Sequence, residues 1–236
     1  MLTLCRASKG GAGATTVTAL SALAHAERSL LVDLEGELGP ALGIAPSDRP
    51  GVLGWLSSSA PLEHLDDLLL DVDDTTALLP ARGRRPDDPA APEPSIARWM
   101  QLASWCRSWA VRAAGTVFID AGVVGASTPP DAFAGACDRR WLVTRRCYLG
   151  LRRVGSYTLD HTGVVVIDEP GRSLSSADVA AAVGAPVEVV IPWDHAIARA
   201  VDAGICSSRP RRSTMRALQR ATSNTVGDEH DRRTVA

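Results

Sequence analysis

Lysine is almost missing from this 236-residue chain: Lys9 is the only one, and every other basic side chain among its 25 Lys and Arg residues is Arg. With 27 Asp and Glu the net charge is −2, which gives no global pull toward nucleic acid or an anionic membrane surface. No apolar run approaches the roughly 20 residues of a membrane span, so no transmembrane segment is expected. Met1 to Arg6 lacks the charged and apolar regions of a signal peptide, so a cytoplasmic protein is expected. The cysteines, Cys5, Cys106, Cys137, Cys147 and Cys206, are scattered without CxxC spacing, which fits buried thiols in a reducing compartment. The histidines are equally dispersed and none has a neighbour at zinc-ligand spacing. There is no internal repeat.

What remains is an alternation of apolar strands and amphipathic helices. Leu2 to Ala7, Leu30 to Asp33, Thr76 to Leu79, Thr116 to Asp120, Trp141 to Thr144, Val164 to Ile167 and Val187 to Ile191 read as strands. Helical patterns lie at 15–26, 96–113, 147–158, 175–183, 194–203 and 212–221, with two short ones between Gly51 and Leu70. Continuously apolar strands separated by helices predict an α/β fold, a mostly parallel sheet flanked by helices on both faces. The length suits one domain, over 1–222. Within it, 82–94 is rich in Pro, Arg and Asp and reads as a mobile loop, and 223–236 reads as a disordered tail. The helix at 96–113 carries Trp99, Trp105 and Trp109, which suit a core, a docking face or a platform for stacked bases.

The chemistry concentrates after the first strand, in Ser8-Lys9-Gly10-Gly11-Ala12-Gly13-Ala14-Thr15-Thr16. Glycine permits positive φ, so successive N–H groups can turn inward on an anion, and the helix that follows adds its positive dipole end. Thr15 is placed to offer a hydroxyl to Mg²⁺. A run of small residues can also be an ordinary tight turn, but its place between a strand and an amphipathic helix favours phosphate. Asp33 and Asp120 close the second and a later strand. Ligands of open parallel sheets sit at the carboxyl ends of the strands, so both acids should face the loop's crevice, where a metal and an attacking water need oxygen ligands.

Lys9 to Thr16 resembles the deviant Walker A motif of the MinD/ParA family of P-loop ATPases. Leu30-Leu31-Val32-Asp33-Leu34-Glu35 resembles that family's strand ending in D-x-D, and Val117 to Asp120 with Gly122 its Walker B and switch II. Weaker similarity continues through Trp141 to Thr144 and Val190 to Asp194, so that the resemblance spans about 2–221. It implies that Lys9 is the signature lysine, reaching the partner's nucleotide across an ATP-sandwiched homodimer. It implies that Gly10, Gly11, Ala12, Gly13 and Ala14 cradle the phosphates, that Thr15 binds Mg²⁺ and that Thr16 contacts phosphate. It implies that Asp33 is the switch I acid that organises the attacking water or the metal shell, and that Asp120 is the Walker B acid at the metal.

Two departures follow. Ala14 stands where the family's second lysine touches the phosphates, and Glu35 replaces the second Asp of D-x-D, one methylene longer. Loss of a charge from a desolvated site costs several kcal/mol of phosphate stabilisation, so hydrolysis should be weak or absent. The motif is most similar to the CpaE/TadZ and septum-site-determining branch, which often lacks that lysine. The expectation is an ATP-dependent dimer for intracellular positioning or partitioning that recruits an unidentified protein. The alternatives are a pseudo-ATPase scaffold and an active partition ATPase using nonspecific DNA. The DNA reading rests on Arg209, Arg211, Arg212, Arg216 and Arg220, with Arg139, Arg140, Arg145, Arg146, Arg152 and Arg153 as further basic surface. The bland reading of the C-terminal arginines is a solvated helix. A C-terminal membrane helix is not expected, because Met215 and Leu218 are too little apolar surface.

Overall fold

The computed structural model describes residues 1–45, 49–83, 93–125, 129–155, 161–206 and 212–223. Eight strands form one sheet: β1 (Leu2–Ala7), β2 (Ser29–Asp33), β3 (Leu70–Asp71), β4 (Thr76–Leu79), β5 (Thr116–Val123), β6 (Arg139–Arg145), β7 (Gly163–Asp168) and β8 (Val187–Pro192). Their order is β3-β4-β2-β5-β1-β6-β7-β8. All neighbours run parallel except β3, a two-residue antiparallel strand against β4. The expected α/β architecture is therefore present.

The central strands are apolar on both faces because helices cover both. Along each strand, alternate side chains enter opposite cores. Leu2, Leu4, Leu30, Val32, Val117 and Ile119 pack on one side. Cys5, Trp141, Val143 and Val165 pack on the other, and Leu31 and Phe118 continue that second layer. The first layer is filled by α3 (Val52–Leu56), α4 (His64–Asp67), α5 (Ile96–Arg112) and α6 (Asp131–Gly135). The second is filled by α1 (Ala14–Ala24), α2 (Leu38–Leu42), α9 (His195–Asp202) and α10 (Arg212–Ser223). Two further helices, α7 (Tyr148–Val154) and α8 (Ser176–Val183), pack on Val164 and Val166 of β7.

The tryptophan helix α5 resolves to core. Ser95 caps it, accepting from Arg98 N–H at 3.2 Å, and Trp99, Trp105 and Trp109 are all buried. Trp99 meets Phe133 edge to face at 5.3 Å. Neither a docking face nor a stacking platform is available from those rings.

The structure corrects three other expectations. Asp120 does not end its strand: β5 runs on to Val123, where Ala7 pairs with it after a register irregularity, and Gly122 takes φ 66°. Arg139 is no surface charge, being buried on β6 with its guanidinium donating to Ala221 O at 2.6 Å. Arg82 and Gly83, placed at the start of the loop, pack against α3, with Gly51 and Gly54 N–H donating to Arg82 O. The rest of that loop through 92, the tail beyond Ser223, and Arg209 and Arg211 lie outside the described residues. Two short helices, α2 and α6, and strand β3 had no counterpart in the sequence reading.

Candidate functional site

The site grows from the carboxyl end of β1. The chain leaves β1 for β2 on one side, while its neighbour β6 leads outward to β7, so the strand order reverses there and the loops part to leave a crevice. Ser8 ties the loop's start to β6: its N–H donates to Val143 O at 2.9 Å and its Oγ lies 2.8 Å from Thr144 Oγ1. Gly11 at φ 72° and Gly13 at φ 104° then turn the backbone in conformations that side-chain-bearing residues rarely adopt. Gly13 also caps α1, whose first turn closes with Val17 N–H on Gly13 O at 2.9 Å. These turns direct a helix N-terminus and its unsatisfied amides into the crevice.

A cleft of about 590 Å³ opens on this loop. Gly10, Gly11, Ala12, Gly13, Ala14, Thr15 and Thr16 all line it, as does Asp120. Thr15 donates its hydroxyl to Asp120 Oδ2 at 2.6 Å. Asp120 is fully buried, and its Oδ1 has no hydrogen-bond partner. Burial pushes the Asp120 carboxyl up to about 7. The Thr15 hydroxyl and the nearby Gly122 amide pull against this, and the Asp33 and Glu35 charges reinforce it.

Asp33 lies directly beside Asp120 in the β2–β5 register. Its carboxylate is spent on the turn that follows it, accepting from the N–H groups of Glu35 at 3.1 Å, Gly36 at 2.7 Å and Leu38 at 3.1 Å. Burial raises its pKa while these amides lower it. The acid of that turn which lines the cleft is Glu35, joined by Glu37. A Cβ on Gly122 would collide with the Glu35 carboxylate, so glycine there serves both its positive φ and the close approach of this acid. Lys9 does not line the cleft. It is partly exposed on the outer side of the loop, where its charge is felt by Cys147 and Glu169.

A divalent ion suits the Thr15–Asp120 pair. Asp120 offers a buried oxygen with no hydrogen-bond partner, and burial disfavours its bare negative charge, which a cation would offset. Among the described residues no group of three or more His, Cys, Asp or Glu could hold a metal by itself. Mg²⁺ keeps several waters and uses one or two carboxylates plus substrate phosphates, and the Asp120 carboxyl beside the Thr15 hydroxyl could supply the protein's share.

The far end of the cleft was not legible beforehand. It is lined by Ile167 of β7, Ile191 of β8, Trp193, and Ile197 and Val201 of α9. Trp193 N–H donates to Asp168 O at 2.9 Å, which joins the ends of β7 and β8. Asp194 caps α9, accepting from Ala196 N–H at 2.8 Å. Arg145, the last residue of β6, lies between the two ends. Its Nη2 donates to Gly11 O at 2.7 Å, and its guanidinium stands 4.6 Å from the Trp193 ring centroid. The signal that could have found Arg145 and Trp193 is the one that found the acids: both stand at carboxyl ends of parallel strands.

No family model and no curated protein matches the chain. Solved structures do. The MinD cell division protein of Aquifex aeolicus superposes with TM-score 0.73 at 18% identity, covering 95% of this chain and 98% of that one. A ParA family ATPase from Chlorobium tepidum gives 0.68 at 16%, covering 94% and 99%. The septum site-determining protein MinD of Pyrococcus horikoshii, solved with Mg-ADP, gives 0.67 at 19%, covering 94% of both chains. The fold is therefore that of MinD/ParA-type P-loop ATPases. Among the described residues no helix is long and apolar enough to cross a membrane.

Proposed function

We propose that this chain is a cytoplasmic MinD/ParA-like positioning protein. It binds ATP with Mg²⁺ in the cleft, forms a homodimer across the nucleotide and recruits a protein partner to a defined cellular site. The observation that carries this reading is the arrangement at the carboxyl end of β1: a glycine loop with two positive-φ turns, a helix N-terminus, and the Thr15–Asp120 pair, all on one 590 Å³ cleft. The amides of Gly10 to Thr16 hold the phosphates, Thr15 and Asp120 hold the metal, and the apolar end holds the base. Mg²⁺, when bound, neutralises charge on the phosphate oxygens. The similar Pyrococcus MinD, solved with Mg-ADP, supports the choice of ligand.

Hydrolysis is slow or absent on this reading. Ala14 brings no charge to the phosphates, and removal of one such stabiliser typically costs about 2.7–4 kcal/mol, or 10²–10³ in rate. Asp33, held by three amides, has little freedom to act as a base, and Glu35 is the neighbouring acid on the cleft. The missing second lysine supports placement near the CpaE/TadZ branch. Lys9 lies on the outer side of the loop, where its carbonyl accepts from Ala12 N–H at 3.1 Å, and its ammonium would serve the partner's nucleotide.

Calorimetry with ATP and Mg²⁺, paired with light scattering, tests this. Micromolar binding and an ATP-dependent dimer that Lys9→Ala abolishes are expected. Absence of binding would leave the pseudo-ATPase scaffold instead, a reading already weakened by the burial of Trp99, Trp105 and Trp109. Hydrolysis unaffected by Thr15→Ala and Asp33→Ala would show that the site is misassigned.

A second role has one observation behind it. Helix α10 docks through Leu218 and Ala221 and leaves Arg212, Arg216 and Arg220 exposed at four-residue spacing. Such a stripe suits nonspecific DNA phosphates, and binding that falls steeply with salt would support it. The same docking uses Leu218 in the core, so α10 has no apolar face left for a membrane.

A further inference from the structure

A nucleoside triphosphate brings about four negative charges to its site, and a partly desolvated cleft must meet them with fixed positive groups. Here the charge balance runs the wrong way. Glu35, Glu37, Asp120, Asp194 and Asp202 all line the cleft, while Ala14 contributes none of the positive charge of a P-loop lysine and Lys9 lies outside. Among the described residues that line it, Arg145 is the one cation.

Its placement is built. Arg145 ends β6, which is stitched to the glycine loop by the Ser8 contacts with Val143 and Thr144, so its side chain emerges beside the loop. The bond from Nη2 to Gly11 O fixes the guanidinium against the loop, and the Trp193 ring supports it. Nε is buried and has no hydrogen-bond partner. The nearest carboxylate, Glu169, lies 3.7 Å from Nη1 but only 2.5 Å from Arg172, which already compensates it. The guanidinium is thus anchored to the loop, lines the cleft, and keeps one donor, Nε, without a partner.

We infer that Arg145 is the phosphate-binding cation of this site, replacing from the end of β6 the charge that the loop lacks at Ala14. The inference rests on the nucleotide reading above. A guanidinium is always charged and offers several donors, so it can hold Gly11 O and a phosphate oxygen together, which an ammonium on a flexible stem does less well.

The test is calorimetry of ATP, ADP and adenosine, with Mg²⁺, on the full chain and three variants: Arg145→Met, Arg145→Lys, and Arg145→Met combined with Ala14→Lys. Methionine keeps an apolar stem against Trp193, and thermal melts show whether the variants fold. The expected result is an ATP affinity at least about 30-fold weaker in Arg145→Met, a smaller loss for ADP and none for adenosine. Arg145→Lys should recover part of the loss. A lysine introduced at Ala14 should recover at least about tenfold, because it restores charge from the other side. Unchanged ATP affinity in Arg145→Met overturns the inference. So does an equal loss for adenosine, which would make Arg145 a wall of the base pocket. If the unsubstituted chain binds no ATP, the nucleotide reading falls first and the inference with it.

Discussion

On the proposed reading, the ligand surface at the loop end of the cleft is main chain: amides of Gly10 to Thr16, turned by two glycines, with one hydroxyl and one carboxyl beside them. At the far end it is side chain: Ile167, Ile191, Trp193, Ile197 and Val201, contributed by β7, β8, α9 and the turn between the last two. The first surface comes from seven consecutive residues and the second from segments that meet only when the sheet closes. Backbone recognition tolerates most side-chain changes but no change of φ, whereas the apolar end tolerates any backbone that keeps its volume and its ring. The two ends should therefore fail differently.

The loop end should break completely at Gly13. At φ 104° a side chain is strained whatever space surrounds it, and its Cβ would also meet Ile167 Cγ1 at 3.7 Å. Strain of about 1–3 kcal/mol at such a residue is relieved by rotating the turn, which takes the amides off the phosphates. Gly13→Val is expected to abolish ATP binding in calorimetry and to leave the far-UV circular dichroism unchanged. Retained micromolar binding would show that the loop does not hold the phosphates.

Asp120 gives the next effect, on stability. Its folded pKa of about 7 lies well above the ordinary aspartate value of 3.8. The folded state thus keeps a proton that the unfolded chain releases. This contribution is fully present below about pH 4 and is lost as pH rises through about 7, a change of about 4 kcal/mol. Asp33, also raised by burial, adds a slope of the same sign. Without nucleotide, urea denaturation should show stability falling between these pH values, and Asp120→Asn should flatten the fall. A wild-type stability that rises over that range would mean that Asp120 is ionised throughout. Thr15→Ala acts on the same pair with less force. It removes the hydroxyl from Asp120 Oδ2 and from the metal, and the Mg²⁺-dependent part of ATP affinity should drop at least about tenfold. Equal ATP affinity with and without Mg²⁺ in the unsubstituted chain would remove the metal from this pair.

The contrast between the two ends also explains what could be read beforehand. The loop was legible because its requirement is local: positive φ at fixed positions writes glycine into consecutive residues. The acids were legible as strand-end carboxylates, although β5 continues past Asp120 because Gly122 and the pairing of Ala7 with Val123 prolong it. Arg145 was hidden by the composition. Its place at the carboxyl end of β6 marks it, but in a chain where Arg is nearly the only base its residue type does not distinguish an arginine bound to Gly11 O from Arg139, which is buried on Ala221 O, or from Arg216, which is exposed. The short helix α2 was hidden by Gly39 and Pro40, which read as a turn but are tolerated in a first helical turn. The role of Asp33 was misleading in a subtler way. Its position beside Asp120 was foreseeable, but the three amides it accepts from come from the following turn, whose path the sequence does not display.

The smallest predicted effect is the one that separates the ends most cleanly. Trp193 presents an aromatic wall at the apolar end of the cleft, the proposed base end, and carries the Arg145 guanidinium 4.6 Å from its ring centroid. Stacking of a base on an aromatic side chain is worth about 1–3 kcal/mol. Part of that remains available from Ile167 and Ile197, so Trp193→Ala should weaken ATP and adenosine alike by about five- to tenfold. Inorganic tripolyphosphate, which has no base, should bind Trp193→Ala as it binds the unsubstituted chain, and should fail to bind Gly13→Val. If tripolyphosphate also weakens in Trp193→Ala, the ring is holding Arg145 in place for the phosphates, and the apolar end of the cleft is then a support for the loop end and not a separate base site.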